Sequence, residues 1–431
     1  MKTLALPLFL LGVCLLAAPA AAQIDSSGEL GVEGRLFTDD DNPLTQDDGL
    51  GMFGRLEWSH RQGVVSEKIR VFGRLDSRDD GRTVLLVEEG YVQFRSGRFR
   101  LRAGWDIVNW TATEAFHPAD VINARNFDSD LENLEKLGEP MLTAQVGLLE
   151  GMTASVLLMP VYTKSLFPSA RSRLNFVPGL DLGANRVLLD RDGDVTDNDF
   201  GPQAAFRLQQ VLGSADVSVH ALEQMDRLQP LAAFNVLTGA PATLFQTVRQ
   251  VGGTYQQVMG SLIAKLETAY RWFVPARRDW PYAPLGELAP VLTSAPYPDR
   301  NHGTVAIGFE YGIVHENSSE STLLLEGQFV YGAGSDRIRK SLSPFQRDIL
   351  VGYRFALGDV DGKELLLGAI VDLQDAEEFL VNASYQQRLG DTWRVKLGLR
   401  LFQAPARPFG SGGLATFREA DHVRLSLTRH F

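Results

Sequence analysis

Two kinds of side chain in this 431-residue chain are spaced for chemistry. The first is basic and recurs at every second position: Lys68, Arg70 and Arg74; Arg98, Arg100 and Arg102, with Asp106 after them; Arg394, Lys396 and Arg400; and Arg271 in its own segment. In an extended chain, residues two apart share a face, so each group becomes a row of cations along one side of a strand. Guanidinium groups are planar, permanently charged forks suited to carboxylates and phosphates, and basic rows around a passage favour anions. The same rows are equally suited to holding an acidic stretch of chain in place. Glu114, Asp120, Asp128, Asp130, Glu132, Glu135 and Glu139 form such a stretch. The second kind is acidic: Asp190, Asp192 and Asp194 put hard oxygen donors at alternate positions, the ligand type that calcium takes. This run does not match an EF-hand, because Gly193 is misplaced for the sharp turn and Gly201 stands where the closing Glu belongs.

A Gly-x-Ser-x-Gly elbow, a paired-His ligand motif and a Gly-rich phosphate loop are all missing from the sequence. The seven His are scattered, with His220 and His422 standing singly on polar faces. The reading is therefore non-enzymatic, with no cofactor. The formal net charge of −11 argues against a nucleic-acid partner. Residues 1–22 read as a secretory signal: Lys2, an apolar run, then Ala20-Ala21-Ala22. The one cysteine, Cys14, lies inside that run, so the remainder holds no thiol for disulfides or metal. No later run of apolar residues is long enough for a spanning helix.

What must position the basic rows is a set of strands. Alternation of apolar and polar residues places them at about 28–37, 49–60, 66–76, 83–95, 98–109, 141–149, 151–160, 200–211, 213–224, 247–258, 260–274, 302–315, 319–332, 346–357, 362–373, 376–389, 391–403 and 420–431. That predicts an all-β fold: a transmembrane antiparallel up-and-down β-barrel of about eighteen strands, sixteen being the alternative count. Residues 23–431 would form one domain, with 110–140 inserted after strand five. The connections sort by length, alternately short turns and long loops, as in barrels with short periplasmic turns and long outer loops. Val305, Ile307, Phe309, Tyr311 and Ile313 would face lipid. The charged rows would face a lumen that is wet or filled with polar protein.

The last strand alternates Val423, Leu425, Leu427, Arg429 and Phe431 with polar residues. This ending resembles the assembly signal of bacterial outer-membrane β-barrels, in which a terminal Phe is read by the barrel-assembly machinery. The resemblance implies a place in the outer membrane, with its lipid and lipopolysaccharide as neighbours. Asp39-Asp40-Asp41 and Asp47-Asp48 then read as solvated loop carboxylates, bridged loosely to lipopolysaccharide by divalent ions. The stretch Gly104-Trp105-Asp106-Ile107-Val108-Asn109-Trp110, the loop Pro118-Ala119-Asp120-Val121-Ile122-Asn123, the re-entry Gly138-Glu139-Pro140 and the ending Met159-Pro160 resemble a family of outer-membrane barrels distantly akin to alginate-export porins. The resemblance covers residues 98–168. It implies a porin-like channel for small organic solutes, with anionic, aromatic or hydrophobic ones as candidates. The insertion residues Trp110, Glu114, Phe116, His117, Asp120, Asn123 and Arg125 would constrict it. The alternatives are a scaffold barrel holding a periplasmic or electron-transfer partner, and an outer-membrane hydrolase whose catalytic residues come from separate strands.

Overall fold

Ile307, Phe309, Tyr311 and Ile313 alternate along one strand and are 37–48% exposed on the outer surface, whereas Ala306, the neighbour of Ile307 on the other face, is fully buried. That two-faced pattern runs through the computed structural model, which describes residues 23–38, 45–131, 134–177, 179–277, 281–284, 299–406 and 412–431. The signal at 1–22, the carboxylates of Asp39, Asp40 and Asp41, and Glu132 lie outside the described residues.

Eighteen antiparallel strands follow one another around a closed barrel. They are β1 (Gln23–Phe37), β2 (Asp48–Gln62), β3 (Val65–Asp76), β4 (Val84–Ser96), β5 (Phe99–Asp106) and β6 (Glu139–Leu149). Next come β7 (Met152–Val161), β8 (Phe200–Leu212), β9 (Ala215–Met225), β10 (Pro241–Met259), β11 (Leu262–Phe273) and β12 (His302–Val314). The circuit ends with β13 (Glu320–Tyr331), β14 (Arg347–Ala356), β15 (Glu364–Asp372), β16 (Phe379–Leu389), β17 (Trp393–Gln403) and β18 (His422–His430). Closure comes from β1 pairing with β18, from Glu29↔His430 to Phe37↔His422. With no free edge, every strand is paired on both sides, as a sheet in hydrocarbon requires. Aromatic residues gather near both ends of the outer face: Trp58, Phe94, Phe99, Tyr385 and Trp393 by the short turns, and Trp105, Tyr270, Trp272, Phe329 and Tyr331 by the long loops. Such paired girdles mark the two interfaces of a bilayer.

Phe431 seals the closure. Its N–H donates to the Gly28 carbonyl at 3.0 Å, and the Gly28 N–H returns a bond of 2.9 Å. Its ring lies so close over Gly28 that a Cβ there would meet it at 2.6 Å. Gly28→Leu is therefore expected to cost about 1–3 kcal/mol by overpacking and to lower the yield of heat-resistant folded barrel on gels. Gly34→Ala in the same strand, whose nearest neighbour atom is 4.0 Å away, should leave that yield unchanged.

Most strand boundaries differ from the sequence reading by a few residues, β1 for example beginning at Gln23 rather than 28, and two of the differences bear on the site. Strand five stops at Asp106, three residues early, because Asp106 Oδ1 accepts the Ile107 N–H and turns the chain into the lumen. Strand ten begins at Pro241 rather than 247. Its first residues pair with Leu231–Asn235 and, in parallel, with Arg186–Leu189, forming a small sheet above the barrel.

A larger correction concerns the lumen. Its outer half is an apolar core, not water or polar protein. Leu350, Ile370, Leu380 and Phe402 face inward near the outer ends of their strands and pack with Phe116 of the insertion and Phe345, Leu414 and Phe417 of the outer loops. A second cluster joins Trp110, Val121 and Ile122 to Met141, Leu157, Met159, Ala205 and Leu222 on the inner wall. At these levels a strand is apolar on both faces, so alternation shows only where charge resumes further down.

Candidate functional site

Residues 107–131 and 134–138 of the insertion leave β5, cross the lumen in two lobes and return to β6. Hydrogen bonds fix the base of the insertion. Asn123 donates to the carbonyls of Asp106 (2.9 Å) and Leu137 (3.0 Å) and accepts from the Val108 N–H at 2.8 Å. Asp120 accepts the Trp110 N–H at 3.0 Å and pairs with Lys136 (2.5 Å) and Arg125 (3.2 Å). At the re-entry, Gly138 presses against β4, and a Cβ there would meet the Glu88 carbonyl at 2.2 Å.

The first lobe, residues 112–119, spans to β11 and β13. Glu267 accepts the backbone N–H groups of Ala112 (2.5 Å), Thr113 (3.0 Å) and Ala119 (3.1 Å), plus the Thr113 hydroxyl at 2.8 Å. Glu326 accepts those of Glu114 (2.8 Å), Ala115 (3.0 Å) and Phe116 (2.7 Å). Both carboxylates are fully buried. A buried charge is tolerable only when hydrogen bonds replace its water, and successive backbone N–H groups in a turn form a concavity that does this. His117 lies 3.7 Å from Glu267. Glu114 reaches back to Lys265 Nζ at 2.5 Å, which also contacts Glu310.

The second lobe spans to the opposite arc. Asp128 meets Arg35 of β1 at 3.4 Å and Arg82 from the β3–β4 connection; Asp130 meets Arg400 of β17 at 3.2 Å. Glu135 stands 3.8 Å from Arg55 of β2. Burial alone would raise the carboxyls of Asp120 and Asp128. Arg125 and Lys136 hold the first below the usual carboxylate range, and Arg82, Arg35 and Arg74 do so for the second. Depressed carboxyls stabilise the fold fully above the ordinary pKa of about 3.9 and lose that contribution as pH falls through the lower folded value. These two carboxylates should thus keep their hold on the insertion at pH 5, with release only in stronger acid. Protease accessibility of the insertion as a function of pH measures this.

The predicted basic rows fall on the inner face, where Lys68, Arg70, Arg74 and Arg102 pair with wall carboxylates and, among the described residues, only Arg400 pairs with the insertion. Lys68 meets Glu89 (3.0 Å) and Glu57 (3.3 Å), and Arg70 meets Glu88 (2.9 Å) and Glu89 (3.0 Å). Arg102 meets Asp106 at 2.8 Å and lies over the Tyr91 ring. Arg74 donates to the Arg82 carbonyl, and Arg271 contacts Gln250, Gln229 and Asp226. Arg98 sits at the β5–β6 end, by the Leu148 carbonyl. Arg100, Arg394 and Lys396 make no ion pair among the described residues. Asp120 and Arg125 pair within the insertion instead of reaching the wall.

The calcium reading is not supported by the geometry. Asp190 accepts the N–H groups of Asp192 (2.9 Å) and Asp194 (3.0 Å), closing its own turn, while Asp194 pairs with Arg277 at 3.0 Å. Among the described residues no group of three or more acidic, His or Cys side chains is placed to hold a metal.

Glu267 and Glu326, which fasten the first lobe, were not singled out from sequence, nor was the Arg227 that meets Glu139. Each of the two carboxylates is an inward Glu with one polar and one apolar or small neighbour on its own face, Lys265 and Ala269 for Glu267, Gln328 and Leu324 for Glu326.

Between the first lobe and the outer loops lies a cavity of about 300 Å³. Phe116, Phe127, Phe167, Phe176, Phe345 and Phe417 supply much of its wall, and Arg271, His302 and Lys340 its polar points. The rings brace one another, with Phe127 stacked on Phe167 at 4.9 Å and edge-on to Phe176 at 5.4 Å.

No protein-family model matches this sequence, and no curated protein matches it. Solved structures do. OccAB1 of Acinetobacter baumannii is similar with a TM-score of 0.52 at 10% identity, over 94% of this chain and 96% of that one. OccK11 (OpdR) of Pseudomonas aeruginosa scores 0.50 at 10% identity over 95% and 96%. OpdO of Pseudomonas aeruginosa scores 0.50 at 13% identity over 94% and 96%. With an apolar belt, aromatic girdles and eighteen closed strands, this chain is a bacterial outer-membrane β-barrel with the porin fold.

Proposed function

We propose that the barrel is a constricted channel that admits small organic solutes with an apolar or aromatic body. The observation that carries this reading is the insertion itself, tied to opposite arcs of the wall so that it narrows the lumen at mid-depth. Glu114 and Asp130, at the tips of its two lobes, have side chains 52% and 56% exposed. They therefore face the remaining passage. The phenylalanine-walled cavity outside the constriction offers an apolar solute a first resting place, as ligand sites combine apolar walls with a few polar points. The unpaired Arg100, Arg394 and Lys396 favour anions on the way to the periplasm. Kinship with alginate-export porins rests on the motifs within residues 98–168.

A scaffold role is less well supported, because the chain's own insertion and outer loops already occupy much of the lumen that a partner would need. Planar-bilayer recording tests the channel reading. Discrete conductance steps are expected, reduced by aromatic solutes added on the loop side. Absence of any steps, both in the intact barrel and after deletion of 112–138, overturns it.

A further inference from the structure

On the lipid-facing side, β12, β13 and β14 enclose a trench of about 660 Å³. It opens where Gly327 lacks a side chain between Leu325 and Phe329, and its walls are Val305, Ile307, Phe309, Leu325, Phe329 and Ile349. A Cβ at Gly327 would meet nothing closer than the Asp348 carbonyl oxygen at 3.7 Å and the Ile349 side chain at 3.8 Å, ordinary contacts, so the position has room for a side chain that glycine does not supply. The outer end of the trench reaches the girdle of Phe329 and Tyr331. There Arg347 stands opposite Phe329 in register, its guanidinium 5.0 Å from that ring.

Arg347 is incompletely satisfied. It donates to Gln374 Oε1 at 3.3 Å, an oxygen that already takes a 2.6 Å bond from Arg339. The Nε groups of both arginines are buried without an acceptor. Arg339 pairs with Asp336 at 2.9 Å, but Arg347 makes no ion pair among the described residues. A guanidinium beside the aromatic girdle with unused donors, at the end of an apolar groove, fits an anionic headgroup carrying acyl chains. Phosphate suits the fork best, since bidentate guanidinium–phosphate bonds are the strong ones.

We propose that this trench holds an acyl chain of a phosphorylated, multiply acylated glycolipid of the outer leaflet, with its phosphate on Arg347. A second copy of the barrel is the rival occupant. Its apolar belt would fill the trench yet leave Arg347 without an anion. The assignment depends on the membrane location and not on channel activity.

Native mass spectrometry of the barrel in mild detergent tests it, with bisphosphorylated lipid A and the same lipid stripped of phosphate as probes. The wild type should retain one phosphorylated lipid with a preference of about tenfold or more over the stripped one. Arg347→Gln should abolish that preference, and Gly327→Phe, which fills the trench, should lower retention of both lipids. Both variants must keep the heat-resistant band of a folded barrel; Arg347→Glu and Gly327→Leu replace either that does not. Equal retention of the two lipids by wild type, unchanged retention in folded variants, or a lipid-free dimer or trimer cross-linked through this face each overturns the proposal.

Discussion

Replacing Glu267 and Glu326 together by alanine is expected to raise single-channel conductance several-fold and to make the insertion cleavable by added protease. Six backbone N–H groups of the first lobe end on these two carboxylates. Hydrogen bonds to a charged group contribute about 1.5–3 kcal/mol each, and a buried donor left bare costs about 1–3 kcal/mol. The sum over six donors exceeds the ~3–5 kcal/mol lost by emptying a buried Phe site. The carboxylates, more than the Phe116–Phe345 contact, should therefore decide whether the lobe stays across the lumen. The glutamine pair keeps one oxygen at each site and should fall between wild type and the alanine pair. If the alanine pair conducts like wild type, the lobe is not held by these groups.

The second large effect is expected at Glu139 and Arg227. Both are fully buried and joined by two bonds of 2.6 and 2.7 Å. Glu139 also accepts the Ala124 N–H at 2.5 Å, and Arg227 also donates to Gln203 at 2.8 Å. The pair thus ties together the insertion, the start of β6 and the loop after β9. Glu139→Ala leaves an uncompensated buried guanidinium, a loss of about 3–5 kcal/mol. It should lower the temperature at which the folded band is lost. Glu139→Leu combined with Arg227→Met removes both charges and should recover much of that loss, since apolar replacement of a whole buried pair is often nearly neutral. A double variant worse than either single one would mean that the pair itself is a net source of stability.

The strands were legible because alternation is local and membrane contact enforces it along the outer face. Val305 to Ile313 and Leu397 to Leu401 state their orientation without reference to the rest of the chain. The inner face was legible only where it is charged. Leu350, Ile370, Leu380 and Phe402 meet loops hundreds of residues away in some cases, and nothing local distinguishes them from lipid-facing leucines. The insertion's position was visible as an interruption between β5 and β6, with the acidic residues that tie its second lobe to arginines. Its first lobe was not, because the anchor reverses the expected polarity. The wall supplies the carboxylates and the insertion supplies backbone N–H groups, which carry no sequence signature. Glu267 is 155 positions from the Ala112 whose N–H it accepts.

The first lobe reaches β11 across the lumen, and because Cys14 is the chain's one cysteine, replacing it by serine leaves a thiol-free background. Cysteines placed at Glu114 and Lys265, whose side chains meet at 2.5 Å, should be joined by a short bifunctional thiol reagent in intact cells. The joined barrel should then resist cleavage of the insertion by external protease. Failure to form that link in a folded barrel, with the cysteine at 114 reacting freely with a bulky reagent applied from outside, would place the lobe outside the lumen, away from Lys265.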